Sequence, residues 1–246
     1  MRRDIDLNNL AIKLRKEWGE DDYSPIDVFG LASLVKNMTI VSMEMPSEMS
    51  GMCIKSGNEI IIAINSAMSL GRQRFTLSHE LYHAYYDKSM VTYVCTQMAE
   101  GKRTDSEKEA DKFASFFLAP YSALDRYENN EASDGWDIEK IVLAENFYKI
   151  SHQAMLLRLL TENRINQSEY EQYKEVQITK IAEKMGLPLD LYYNSLKTKP
   201  FSCTGSYLRK IQEAYERGFI SSGKRSELMN DGFADYESEI GELIYD

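Results

Sequence analysis

Arg74-Phe75-Thr76-Leu77-Ser78-His79-Glu80-Leu81-Tyr82-His83 decides how this chain is read. If the stretch is helical, His79 and His83 stand one turn apart on one face, and both imidazoles reach a single ion. Glu80 is rotated by about 100° from His79, which puts its carboxylate beside a metal rather than on it. A base belongs there, because it can take a proton from a water that zinc has acidified to a pKa of about 7. The competing explanation is a pair of incidental histidines on an amphipathic helix. The chain has only 3 histidines, however, and two of them are these. Phe75, Leu77, Leu81 and Ala84 supply the apolar surroundings of a buried helix. The expectation is a zinc site with His79 and His83 as ligands and Glu80 as the catalytic carboxylate. Another divalent ion, such as manganese, is a substitute that the donor types allow.

A site of this kind needs a third protein ligand. One solution places a glycine and a further histidine soon after the second ligand, but position 86 is Tyr and position 89 is Ser. The other solution is a glutamate farther along, and Glu107-Lys108-Glu109-Ala110-Asp111-Lys112-Phe113-Ala114 offers candidates. Wound as a helix, this segment has a buried arc defined by Ala110, Phe113, Phe116 and Phe117. Glu109 falls inside that arc, whereas Glu107 and Asp111 fall on the opposite side, toward solvent. A carboxylate on an apolar face is costly unless it is paired or binds a metal. The argument selects Glu109 as third ligand, with Asp105, one turn earlier, as a rival.

Outward from this core, Leu7, Leu10, Ala11, Leu14 and Trp18 recur at helical spacing, and Ser24-Pro25 looks like the start of a second helix. Thr39–Met43, Gly51–Lys55 and Glu59–Ile64 read as strands, the last two as a hairpin through Ser56-Gly57-Asn58. Ile60, Ile61, Ile62 and Ile64 predict a strand covered on both faces, although an exposed edge could also take up an extended peptide. Helices are expected over about 72–87 and 105–118, the second ended by Ala119-Pro120. A polar stretch, Glu128–Gly135, precedes a helical pair at Ile138–Glu145 and Ser151–Leu160. The remainder is helix-rich, punctuated at Gly186-Leu187-Pro188, Lys199-Pro200 and Gly223, and ends in an acidic tail.

A length of 246 residues with 43% hydrophobic and 28% charged residues suits one large core or a core with an appended unit. The formal charge of −10 disfavours nucleic-acid binding, which needs clustered Lys and Arg. Cys53, Cys95 and Cys203 form no closely spaced pair, which argues against a disulfide framework and a cysteine-based zinc site. Asp4, Asp6, Asn8 and Asn9 leave no apolar core for a leader near the N-terminus, and the apolar runs are too short to span a bilayer. A cytoplasmic location is expected.

Arg74–His83 followed by Glu107–Pro120 resembles the ImmA/IrrE family of bacterial metallopeptidases. Ser24-Pro25-Ile26-Asp27, Gly51, Ile60–Asn65, and Ile150-Ser151-His152-Gln153-Ala154 with Arg158-Leu159 extend the likeness over roughly residues 7–160. Matched residue by residue, the resemblance implies zinc ligands at His79, His83 and Glu109 and a catalytic glutamate at Glu80. It further implies an α+β fold: a zincin-like metallopeptidase domain with a small antiparallel sheet and active-site helices over 1–130. A helix-turn-helix-like segment at 131–164 and a mostly helical region at 165–246 follow. The implied activity is endoproteolysis of a helix-turn-helix repressor of the Xre type, which relieves repression of prophage, mobile-element or stress genes. Candidates for an oxyanion donor are Tyr82, Tyr85, Tyr86 and His152.

A different class of function competes. Ile138–Glu145 and Ser151–Leu160 have the outline of a helix-turn-helix. The chain would then be a DNA-binding or repressor-sequestering regulator with a structural or inactive metal site. The presence of Glu80 favours the enzyme, because binding alone has no need of a base.

Overall fold

The structure, a computed structural model, describes residues 1–87, 92–96, 104–194 and 201–232. The expected break at Lys199-Pro200, the Cys95 side chain and the acidic tail beyond Gly232 lie outside the described residues. The chain opens with α1 (Asp4–Glu17) and α2 (Val28–Leu34), followed by β1 (Met38–Met43), β2 (Met49–Ser56), β3 (Glu59–Asn65) and α3 (Leu70–Tyr86). Next come β4 (Thr92–Thr96), α4 (Asp105–Leu118), α5 (Tyr121–Glu131), α6 (Ile138–Tyr148) and α7 (His152–Thr161). The chain continues with α8 (Gln167–Lys174), α9 (Ile178–Lys184), a 3-10 turn at Asp190–Tyr192, β5 (Phe201–Gly205), α10 (Ser206–Glu216) and α11 (Ser222–Gly232). The fold is α+β: a small mixed sheet among helices, with a helical C-terminal part.

The sheet has the order β4-β2-β3-β1-β5 and is mixed rather than wholly antiparallel, because β1 and β3 run parallel. The β2–β3 hairpin forms as expected, with Ser56 paired to Glu59. Gly57 stands first in the two-residue turn at φ +58°, a conformation that favours glycine there. β3 lies between β2 and β1, so the idea that it offers an edge to a peptide is overturned. The expected burial on both faces holds in part: Ile62 and Ile64 are buried on one face, while on the other Ala63 is buried and Ile61 is exposed near the hairpin end. Neither β4 nor β5 was anticipated. β5 comes from the C-terminal part and pairs antiparallel with β1, with Gly205 opposite Thr39. Gly205 has φ +86°, and a Cβ there would lie 2.3 Å from the Met38 carbonyl oxygen. Only glycine permits that approach.

The second helix starts later than Ser24-Pro25 suggested. Its cap is Asp27, whose carboxylate accepts from the Gly30 backbone N–H at 3.2 Å. Arg15 accounts for the non-helical path of the residues before Asp27. Its fully buried guanidinium donates to the carbonyls of Asp21, Ser24 and Phe117, tying α1, the following loop and the end of α4 together. The Phe117 carbonyl would otherwise be buried without a partner, at a cost of about 1–3 kcal/mol. Helices α3, α4 and α1 then pack side by side around Leu7, Leu77, Leu81, Phe113 and Phe117, and α3 lies against β2 and β3. This arrangement fixes the histidine helix between sheet and α4.

Candidate metal centre

Helix α3 begins at Ser69, whose hydroxyl accepts from the Arg72 N–H. The Arg74 guanidinium donates to the carbonyls of Ile26 and Lys149, anchoring the helix to two flanking segments. Gly51 of β2 lets the sheet ride directly on α3. A Cβ there would meet Thr76 Cγ2 at 2.7 Å and the Ala63 carbonyl oxygen at 2.8 Å, and would come within 3.5 Å of Glu80 Oε1. At the other end, the Lys55 ammonium donates to the carbonyls of His83 and Asp87, closing the C-terminus of the helix with a cation.

His79 and His83 are buried, and their Nε2 atoms lie 3.2 Å apart. Glu107 completes the cluster. Its Oε2 is 3.5 Å from His79 Nε2 and its Oε1 is 3.4 Å from His83 Nε2. One donor atom from each of the three residues lies within 4.8 Å of the others. Each imidazole turns its Nδ1 toward a carboxylate: Asp111 Oδ1 at 2.9 Å from His79, and Asp87 Oδ2 at 3.4 Å from His83. Asp87 in turn accepts from Ser106 Oγ at 2.6 Å. A proton held on Nδ1 by a carboxylate leaves the Nε2 lone pair free to bind a cation.

Glu80 is fully buried, and both of its carboxylate oxygens lack a hydrogen-bond partner, as does Glu107 Oε1. Burial, with the Glu107 charge adding to it and His79 opposing, pushes the Glu80 carboxyl up to about 8. Burial also pushes Glu107 upward, but hydrogen bonding and charge from both histidines outweigh it and hold the carboxyl down at about 2. Glu107 faces the two imidazole nitrogens, and Glu80, which feels the charges of His79 and Glu107, adds two more orphaned oxygens, so the site is short of positive charge. A divalent cation with nitrogen and oxygen ligands fits it. Cys53 contributes no ligand chemistry: burial, together with the Glu80 charge, pushes its thiol up to about 12 and keeps it protonated.

Glu109 does not join the histidines. Its carboxylate accepts from Tyr82 Oη at 2.5 Å, from Arg2 Nη1 at 2.8 Å and from the Arg2 backbone N–H. Asp105 is exposed, 3.5 Å from the N-terminal amine. The placement of Glu107 on the solvent side was therefore wrong. α4 is buried on two flanks, against α3 and against α1. The apolar arc marks the mean of both, and Glu107 with Asp111 lies on the α3 flank at its edge. Their i, i+4 spacing mirrors that of the histidines. This was the signal in the sequence, and neither Asp111 nor Asp87 was singled out from it.

The tyrosine and histidine candidates for an oxyanion donor are placed as follows. Tyr82 donates to Glu109, and Tyr86 donates to the Leu10 carbonyl at 3.1 Å. Tyr85 lies on the outer side of α3, near Glu17 and Trp18. His152 uses both nitrogens elsewhere, Nδ1 on Glu145 Oε1 at 2.6 Å and Nε2 on the Tyr173 carbonyl at 3.0 Å. α6 and α7 are consecutive helices joined by a short turn at Lys149; the outer face of α7 presents Gln153 and Leu157, while Arg158 is buried and paired with Glu162. A DNA-reading surface would need cations there. Among the described residues, no helix is long and apolar enough to cross a membrane.

Residues 35–160, a little over half of the 246, match the family model for the IrrE N-terminal-like domain, Peptidase_M78. No curated protein matches the chain.

Proposed function

We propose, for a chain that belongs to the Peptidase_M78 (IrrE N-terminal-like) family of metallopeptidases, that it is a zinc-dependent endopeptidase with ligands His79, His83 and Glu107 and with Glu80 as its base. The observation that carries this reading is the convergence of His79, His83 and Glu107 beside a buried, unpartnered Glu80 carboxylate. Zinc bound by that set would polarise a peptide carbonyl and acidify a water beside it. Glu80 takes the proton from the attacking water on a carboxylate oxygen and passes it to the leaving amide nitrogen. Asp111 and Asp87 orient the two imidazoles, and Gly51 leaves room for Glu80 under the sheet.

Asp111→Ala is expected to weaken zinc binding about 10- to 100-fold. Competition with a chromophoric chelator measures this, and an unchanged affinity would show that Asp111 does not orient His79.

The substrate in this reading is a helix-turn-helix repressor of the Xre type, cut in the cytoplasm to release prophage, mobile-element or stress genes. An acidic enzyme of net charge −10 attracts a basic DNA-binding protein over long range. The test is incubation of the zinc-loaded protein with the repressor encoded by a neighbouring gene, followed by mass spectrometry. Discrete fragments are expected, and an intact repressor would remove this substrate assignment.

A further inference from the structure

A groove of about 680 Å³ opens between α3, α4 and α7 beside the histidine cluster. Its volume is in the range of sites that hold ligands. Phe75, Phe116, Ala154 and Leu157 supply apolar lining, with the Tyr121 ring alongside. Asp111 stands in the wall, and the same carboxylate holds His79 Nδ1 at 2.9 Å. The groove therefore adjoins the proposed metal centre through Asp111, which lies in its wall and contacts the outer nitrogen of His79.

The charges around it are unequal in their availability. Lys112 is paired with Asp4 at 2.6 Å, and Arg158 is tied to Glu162 while its guanidinium lies over the Phe116 ring at 4.3 Å. Arg72 and Lys108 also line the groove. Arg72 has only a long contact of 3.3 Å to Ser50 Oγ, and among the described residues neither side chain has a carboxylate within ion-pair distance. The groove thus combines an apolar lining with two cations that are not neutralised locally. Leu157 is half exposed on the outer face of α7. That is where a helix of a closed structure would carry a polar residue.

We propose that this groove is the specificity subsite of the peptidase. It takes a large apolar side chain of the extended substrate next to the scissile bond, and Arg72 and Lys108 favour an acidic residue in a flanking position. The assignment rests on the peptidase reading above, and it adds what that reading leaves open, the sequence that is cut. An apolar side chain entering the groove removes its own surface and that of Leu157 and Phe75 from water. A lysine in the same place would have to be desolvated without a free carboxylate partner, since Asp4, Asp111 and Glu162 are engaged.

The experiment uses zinc-loaded full chain and quenched fluorescent peptides that vary one position among Leu, Phe, Ala and Lys and a neighbour among Glu, Ala and Lys. Cleavage is followed with wild type, and equilibrium binding is followed with Glu80→Gln. Leu and Phe are expected to exceed Ala by at least about ten-fold in kcat/KM, with the same order in binding. Leu157→Trp, which fills the groove from an exposed position, is expected to abolish that preference while zinc content and Tm stay unchanged. Arg72→Glu with Lys108→Glu is expected to invert the neighbour preference from Glu to Lys. Cleavage by wild type with no side-chain preference, or a preference untouched by Leu157→Trp, overturns the subsite and leaves the peptidase standing. Selective binding by Glu80→Gln without turnover by wild type keeps the groove as a binding site and overturns the peptidase.

Discussion

Glu80→Gln is expected to retain stoichiometric zinc and full thermal stability while losing about 10²- to 10⁴-fold in peptide cleavage, the range for a positioned general base. The substitution is isosteric and removes only the ability to take and return a proton. Its effect on folding is predictable from the site. Both Glu80 oxygens are buried without a donor, so the carboxylate contributes no hydrogen bond that glutamine would lose. A buried group of this kind is a burden on the fold that a functional site retains. Differential scanning calorimetry should place the Tm of the variant at or above that of wild type. A large fall in Tm would assign Glu80 a structural role, and equal cleavage by both proteins would remove it from the reaction.

The legible parts of this molecule are those whose physics is local. Two histidines four apart on an apolar helix place themselves on one face wherever the helix goes. An isoleucine-rich run after a Gly-Asn turn pairs with the preceding segment because the loop is two residues long. Both features came through as expected. β5 was not readable for the opposite reason. Phe201–Gly205 is short, and its pairing with β1 joins residues about 160 positions apart, a contact that no window of sequence encodes. Likewise, the guanidinium of Arg15 organises the entry to α2 through three distant carbonyls, and sequence shows it only as one basic residue on an amphipathic helix. That Glu107 rather than Glu109 stands beside the histidines was hidden for another reason. Periodicity gives the direction of the average core, whereas a metal sits at a boundary between packed helices. α4 touches α1 on one flank and α3 on the other, so its single apolar arc concealed two buried faces. Glu109 turns toward Arg2 and Tyr82 and Glu107 toward the histidines, so both carboxylates meet α3, from opposite sides of α4.

That division gives a measurable contrast between neighbouring glutamates. Glu107→Gln is expected to lower zinc affinity by more than the ~100-fold that loss of an outer carboxylate partner costs, and to abolish cleavage with it. Glutamine keeps the volume and offers a neutral oxygen, but it removes the anion that His79 and His83 hold ionised at about 2. Among the described residues, two neutral imidazoles then remain as the strong donors of the cluster. Glu109→Gln is expected to keep stoichiometric zinc and to act instead on the N-terminal segment, because what it loses is the charge facing Arg2. Limited proteolysis near Arg2 should accelerate in that variant and stay unchanged in Glu107→Gln. Zinc content after desalting separates the two outcomes. Loss of metal from Glu109→Gln with retention by Glu107→Gln would restore the ligand that periodicity selected. It would also require α4 to turn by about 200° about its axis, carrying Asp111 away from His79.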